Sequence, residues 1–215
     1  MAQKRCIYCG VLGELTRDHV PPKNLFPEPR PDNLITVPCC SKCNSSFAAD
    51  DEHFRTMIAC AEQSAAHPQG QRLWPTILRQ LRRKGDSAIT ELIRQSFGTT
   101  VDIPGAILRV DRVLRRVVKG LHYHETGASM PDHWEIRTNL SSDFGDCGGL
   151  AGAINAFRCA PGHTERMFGN GVFCYQVVDW PGRDLGNVWL LSFFECIGLL
   201  CASGPSFAPP GALRM

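Results

Sequence analysis

Apolar positions recur at helical spacing through the middle of the chain. The segment RVDRVLRRVVKGLHYH, residues 109–124, repeats apolar side chains about every 3.6 residues, and these form one stripe consisting of Val110, Val113, Leu114, Val117 and Val118. Segments 49–66, 72–84 and 87–97 show similar spacing, and the first begins with acidic residues suited to a helix N-terminus. We therefore predict four helices, with 148–157 as a further candidate.

After Gly127 the pattern becomes that of strands. Residues 133–138, 171–180 and 187–200 are each predicted to form one strand, and Gly, Asn and Pro turns separate them. The apolar run 188–202 is about five residues shorter than a membrane span and contains Glu195, so we interpret it as buried strand. The first 50 residues are rich in Cys, Pro and Asn and poor in periodicity, which predicts a small unit organised by a metal.

Composition limits the class of protein. The chain has 215 residues, 43% of them hydrophobic, which is enough for a folded core. No positively charged start followed by an apolar run opens the sequence, so we expect a cytoplasmic protein that does not associate with membranes. Eleven cysteines in such a protein indicate metal ligation or buried thiols rather than disulfides. Five of them lack metal-ligand spacing and are interpreted as buried thiols: Cys147, Cys159, Cys174, Cys196 and Cys201.

The positive charge is concentrated in the middle of the chain. Residues 72–119 contain 11 basic and 4 acidic side chains, although the whole protein has a net charge of only +2. Basic helix faces are typical of contacts with a nucleic-acid backbone, and a solvated face of an amphipathic helix is the alternative. The candidate nucleic-acid-binding residues are Arg79, Arg82, Arg83, Lys84, Arg112, Arg115, Arg116 and Lys119.

Two CxxC pairs carry the strongest chemical signal. Cys6 and Cys9 form the first, and Cys40 and Cys43 form the second. A gap of two residues lets both sulfurs of a pair reach one Zn²⁺, so the two pairs together predict a tetrahedral thiolate site. Cys39 adjoins Cys40, but its gap to Cys43 is three residues, and we prefer Cys40. Four thiolates leave no open position, so this zinc is expected to be structural.

An Asp-His pair stands between the two CxxC pairs, in the segment TRDHVPPKNLF. Taken alone, Asp18 would be explained by a turn cap, and His19 by packing on the prolines that follow. With "CIYCG", "RDHVPP", "DNLITVP" and "CSKCN" in this order, however, residues 4–55 resemble the HNH endonucleases of the treble-clef, ββα-metal class. Treble clefs also occur as zinc-binding modules without catalysis.

The resemblance implies a role for each matching residue. Asp18 would be an oxygen ligand of a catalytic Mg²⁺ or Mn²⁺, and His19 the general base, with Asn33 holding its ring. Asn44 occupies the position of the second metal ligand, where many members have histidine, and this departure indicates weak, Mg²⁺-like binding. His53, nine residues later, could supply a further ligand or a phosphate contact.

Together these features predict an α+β protein with three parts. Residues 1–56 would be the HNH-like treble-clef domain, 57–127 a basic helical segment, and 128–215 a C-terminal α+β domain without an assigned role. The implied function is metal-dependent endonuclease activity, a phosphodiester hydrolysis leaving 5′ phosphates, on DNA rather than RNA. The alternative is a non-catalytic, zinc-organised module that binds nucleic acid or protein. Strandedness, sequence preference, biological pathway and a homodimeric state are left open.

Overall fold

The computed structural model describes residues 5–84, 103–140, 157, 165–179 and 186–205. In these ranges the chain forms four α-helices and two antiparallel sheets, which confirms the predicted α+β class. The first part contains β1 (Leu15–His19), a 3₁₀ turn (Lys23–Leu25), β2 (Thr36–Cys40), α1 (Ser41–Cys60), α2 (Glu62–Ala66) and α3 (Pro68–Lys84). The second part contains α4 (Ile103–Thr126), β3 (Glu135–Thr138), β4 (Arg166–Phe168), β5 (Phe173–Asp179), β6 (Asn187–Phe193) and β7 (Ile197–Gly204).

β1 and β2 form an antiparallel hairpin that leads directly into α1. Asp18 lies opposite Val37 in the strand register. Successive side chains of a strand point to opposite faces, so Asp18 is buried while its neighbour Arg17 is exposed. Cys40 ends β2 and caps α1, because its sulfur accepts a hydrogen bond from the Cys43 N–H. The chain therefore has the order strand, strand, helix around the second CxxC.

α4 packs the predicted apolar stripe against the rest of the protein. All five stripe residues are at most 8% exposed, as their spacing predicted. The helix is longer than the predicted 109–124, extending from Ile103 to Thr126. A Cβ added at Gly120 would lie 2.5 Å from a methyl group of Val20, just after β1. The absence of a side chain at Gly120 therefore allows α4 to approach the end of the hairpin closely.

The second sheet has five strands in the order β3-β7-β6-β5-β4. The single strand predicted for 187–200 is wrong, because this segment contains β6, a turn and the beginning of β7. Phe194 and Glu195 adopt positive φ angles of 50° and 57° at the turn, and the Phe194 N–H donates to the Val172 carbonyl oxygen at 3.0 Å. Phe194 is itself buried, so hydrophobicity does not mark the turn.

The turn also corrects the prediction of uniformly buried C-terminal thiols. Cys174 and Cys201 lie within strands and are buried as expected. Cys196 is exposed, because it lies in the turn between β6 and β7. Cys147 and Cys159 lie outside the described residues.

Most of the buried apolar side chains of the described residues belong to one cluster. It includes Ile7 within the first CxxC, Leu114 in α4 and Leu191 in β6. Among the described helices, none is long and apolar enough to cross a membrane. The predicted helix at 87–97 and, apart from Phe157, the candidate helix at 148–157 lie outside the described residues.

Candidate metal centre and adjoining cleft

The first CxxC lies in a tight turn held by the backbone. The Cys6 N–H donates to the Val11 carbonyl oxygen at 3.0 Å, and the Gly10 N–H donates to the Cys6 carbonyl oxygen at 2.8 Å. Gly10 has a φ of 71°, a left-handed conformation that glycine adopts without a steric penalty. The second CxxC comes from the end of β2 and the first turn of α1. The β1–β2 hairpin therefore brings the sulfurs of the two CxxC pairs close together.

Four cysteine sulfurs converge at this point. The Sγ atoms of one group, which we call the four-cysteine cluster, all lie within 4.8 Å of one another, and they belong to Cys6, Cys9, Cys40 and Cys43. The Sγ atoms of Cys9 and Cys40 are 3.7 Å apart. Sulfurs placed tetrahedrally about 2.3 Å from a zinc ion would be about 3.8 Å apart. The four-cysteine cluster could therefore hold a metal ion such as zinc.

The thiols of the cluster differ in their protonation. Burial raises the pKa of Cys6, but backbone hydrogen bonds outweigh burial and lower this pKa to about 6. Burial raises the pKa of the Cys43 thiol. A bound cation would favour the thiolate form of both, because thiolates and not thiols are metal ligands. Cys39 lies outside the cluster, and its sulfur donates instead to the Cys40 carbonyl oxygen at 3.4 Å.

Asp18, the predicted ligand of a catalytic ion, is only 5% exposed. Its Oδ2 accepts a hydrogen bond from the Tyr8 hydroxyl at 2.7 Å. The Nε of Arg116 lies 3.7 Å from the same oxygen. Arg116 also forms an ion pair with Asp51 of α1, and its guanidinium lies 4.3 Å from the centre of the Phe47 ring. α4 therefore places a cation beside the carboxylate at the end of β1.

This group of Asp18, Arg116 and Asp51, the buried ion triad, contains two carboxylates and one guanidinium. Its formal charge is therefore negative. Burial raises the pKa of Asp51 to about 6, since the attraction of Arg116 does not compensate for desolvation and the charge of Asp18 adds to it. The triad consequently has an affinity for one more positive charge, either a proton or another cation.

His19 lies on the face of β1 opposite to Asp18 and is half-buried. Burial lowers its pKa, and the positive charges of Lys23 and Arg30 act in the same direction, while Asp18 opposes them. The imidazole is therefore neutral at pH 7 and able to accept a proton.

The two asparagines of the pattern have different surroundings. Asn44 donates from Nδ2 to the Thr16 hydroxyl at 3.1 Å. Because Thr16 and Asp18 are two residues apart on β1, this bond brings the first turn of α1 onto the Asp18 face of the strand. Asn33 is exposed before β2, and none of the hydrogen bonds among the described residues joins it to His19.

His53 faces α4 rather than the end of β1. Its ring lies near the backbone of Ala106, and burial lowers its pKa. Its Nε2 is buried and has no hydrogen-bond partner in the described part of the chain. The four-cysteine cluster does not include His53.

Carboxylates hold most of the predicted phosphate-binding cations of α4. Arg112 donates from Nε and Nη2 to Asp50, at 2.8 and 2.9 Å. Arg115 pairs with Asp111 at 2.6 Å. Lys119 forms no ion pair with any carboxylate of the described residues. On α3, Arg82 and Arg83 are exposed, and Arg79 bonds within its own helix. The side chain of Lys84 lies outside the described part of the protein.

The chain matches no protein-family model, no curated protein and no solved structure. Any functional assignment therefore depends on the residues and contacts described above.

Sequence reasoning did not identify Tyr8, Asp51 or Arg116 as part of this centre. Tyr8 lies between the first two cysteines, and the acidic Asp51 indicates only a residue of a helix N-terminus. A signal for Arg116 did exist. It immediately precedes Val117 and follows Val113 by three residues, so it borders the apolar stripe instead of lying opposite to it.

Proposed function

We propose that the chain is a metal-dependent HNH-type endonuclease that hydrolyses phosphodiester bonds in nucleic acid. The observation that carries this proposal is the arrangement of the hairpin and α1. Asp18 and His19 end β1 on opposite faces, and the Asn44–Thr16 hydrogen bond brings α1 onto the Asp18 face. This is the strand-strand-helix order that the resemblance requires, and the four-cysteine cluster holds its two ends together.

In this proposal the four-cysteine cluster binds a structural zinc. Four thiolates would complete a tetrahedron, with no position for water or substrate. The zinc would therefore stabilise the hairpin and the start of α1, and it would take no part in hydrolysis. Metal binding of this kind contributes directly to folding, since the site does not exist in the unfolded chain.

His19 is the proposed general base. Its lowered pKa keeps it neutral at pH 7, and a neutral imidazole accepts the proton that water loses as it attacks phosphorus. Lys23 and Arg30, which lower that pKa, also supply positive charge near His19. A phosphodiester approaching His19 would therefore meet a favourable potential.

The side chains around Asp18 fit a divalent ion in their donor chemistry. Carboxylate and amide oxygens are ligands that Mg²⁺ and Mn²⁺ accept, and Asp18 and Asn44 would provide one each. The negative charge of the buried ion triad favours a further cation at this place. When bound, the ion would stabilise the charge that develops on the leaving oxygen. Tyr8 would orient the Asp18 carboxylate, since its hydroxyl already donates to Oδ2.

A second candidate is a zinc-organised module without catalysis. The position of Asp18 favours it, because this carboxylate is buried and both Tyr8 and Arg116 already lie at Oδ2. In that case the hairpin would serve as a scaffold, and the buried ion triad would attach α4 to it.

The comparison of wild type with His19→Ala separates the two functions. Zinc-loaded protein is incubated with supercoiled DNA, linear DNA, single-stranded DNA and structured RNA, with and without added Mg²⁺ or Mn²⁺. The endonuclease proposal expects metal-dependent cleavage by wild type and loss of cleavage in His19→Ala, with normal zinc content and fold. The control is His133→Ala, an exposed histidine outside the hairpin. Absence of cleavage on every substrate would leave the non-catalytic module.

A further inference from the structure

Two cavities adjoin along α4. One has a volume of about 340 Å³ and lies beside Phe47, on the side of the four-cysteine cluster. The other has a volume of about 410 Å³ and lies beside Trp134, next to β3. Arg115 and Lys119 line both cavities, so the two are parts of one groove, which we call the α4 groove. Each part has the size of a small-ligand site.

Lys119 is the distinctive charge of the α4 groove. The neighbouring arginines form ion pairs with carboxylates, Arg115 with Asp111 and Arg112 with Asp50, which itself lines the cavity beside Phe47. These ion pairs fix the positions of the guanidinium groups. Each guanidinium has five N–H donors, and the carboxylates accept from only some of them, so the other donors can bind a ligand. Lys119 lies where the two cavities meet and has no carboxylate partner among the described residues. A single anionic group at this junction would therefore be bound by Lys119 and steadied by the fixed arginines.

Aromatic rings line both cavities of the α4 groove, Phe47 in one and Trp134 in the other. Phe47 contacts the edge of Tyr8, with ring centres 5.1 Å apart, and Arg116 covers part of it. Trp134 is only partly buried and packs against His122 with ring centres 5.4 Å apart. Flat rings combined with cations between them are typical of sites that bind unpaired bases and the phosphate joining them. Bases in a duplex are stacked and paired, so they cannot enter such cavities without being extruded.

We propose that the α4 groove binds single-stranded nucleic acid, with a phosphate on Lys119 and the two flanking bases in the cavities beside Phe47 and Trp134. This inference rests on the proposed function in that it names the form of its substrate. It does not require cleavage, because binding along α4 involves neither His19 nor Asp18. The groove and the hydrolytic site can therefore be tested separately.

Binding is measured by fluorescence anisotropy on the zinc-loaded full-length protein, without added Mg²⁺ or Mn²⁺ so that cleavage does not interfere. The probes are a labelled single-stranded DNA oligonucleotide, its RNA equivalent and the corresponding duplex. Wild type is compared with Lys119→Ala and Trp134→Leu. The matched controls are Arg72→Ala and Trp74→Leu, which change an exposed cation and an exposed indole on α3. Thermal unfolding of each variant verifies that it is folded.

We expect a preference for the single strands over the duplex. Lys119→Ala should weaken single-strand binding and reduce the slope of log affinity against log salt by about 0.7, the value for one lost phosphate contact. Trp134→Leu should weaken binding by about fivefold or more, the loss typical of one stacked base. Lys119→Arg should retain most of the affinity that Lys119→Ala loses. The two control variants should bind like wild type.

The proposal is overturned if the protein binds no single strand, if duplex binds as tightly, or if Lys119→Ala behaves like Arg72→Ala. If Trp134→Leu does not fold, the slope of log affinity against log salt for Lys119→Ala is sufficient to test the proposal. Binding that depends on Lys119 together with absence of cleavage would support the α4 groove and refute the endonuclease. Cleavage that depends on His19, together with binding that does not depend on Lys119, would support the endonuclease and refute the α4 groove.

Discussion

Asp51 should make the protein less stable as the pH rises from acid toward neutrality. Burial raises its pKa from the ordinary value of 3.8 to about 6. The folded protein therefore binds this proton more tightly than the unfolded chain does. Below the pKa that Asp51 has in the unfolded chain, its carboxyl is protonated in both states and does not oppose folding. As the pH rises toward the pKa that it has in the folded protein, ionisation increasingly favours the unfolded chain. Stability that is present in acid is thus lost between about pH 4 and pH 6.

The size of the effect follows from the two pKa values. The rise of the pKa from 3.8 to about 6 corresponds to about 3 kcal/mol of lost stability above pH 6, and roughly 1 kcal/mol of this falls between pH 5 and pH 7. Asp51→Asn removes the titration and keeps a side-chain oxygen as acceptor for Arg116. On going from pH 5 to pH 7, wild type should lose roughly 1 kcal/mol of unfolding free energy relative to Asp51→Asn.

Urea unfolding at several pH values, with zinc present throughout, measures this difference. Both proteins contain the same four cluster cysteines, so proton-coupled metal release cancels when the two are subtracted. The control is Asp132→Asn, which changes an exposed carboxylate. Parallel stability curves for wild type and Asp51→Asn would refute the reasoning, since they would mean that Arg116 fully compensates for the burial of Asp51.

Two further predictions concern the fold around the centre. Cys43→Ser should lose the bound metal and unfold the hairpin region, whereas Cys196→Ser should retain both, as zinc determination and far-ultraviolet circular dichroism would show. Gly120→Ala should lower the free energy of unfolding by about 1–3 kcal/mol in urea titrations, because its methyl group would overlap Val20. Gly198→Ala, where the nearest atom would be 3.8 Å away, should have a smaller effect; equal effects would contradict the proposed close packing of α4.

The parts of the fold that the sequence predicts are those governed by local periodicity. The apolar stripe of α4 is an example, because one face of a helix buries residues at a fixed spacing whatever partner covers it. The four-cysteine cluster is another, because CxxC spacing reflects the coordination of a metal and not the rest of the fold. In both cases the spacing of a few residues is enough to predict the feature without knowledge of the rest of the fold.

The turn between β6 and β7 shows why other parts were not predicted. A turn is usually marked by Gly, Pro, Asn or Asp, but Phe194 and Glu195 occupy this one with positive φ. Phe194 is buried because β5 and its preceding turn lie next to it in the sheet, where the Phe194 N–H reaches the Val172 carbonyl oxygen. Tertiary packing therefore overrides local preference here, and a single sequence does not display that packing.

The position of Arg116 also depends on tertiary packing and not on local sequence. This dependence indicates what the buried ion triad contributes to the protein. Buried ion pairs often add little net stability, since desolvation offsets the attraction of the charges. What they add is geometry, because two carboxylates from β1 and α1 determine where one guanidinium of α4 must lie. Lys119 follows Arg116 by three residues, or about 4.5 Å along the helix axis. The contact that places α4 on the hairpin therefore also places Lys119 at the junction of the α4 groove. The candidate hydrolytic site and the α4 groove thus both depend on the buried ion triad for their positions.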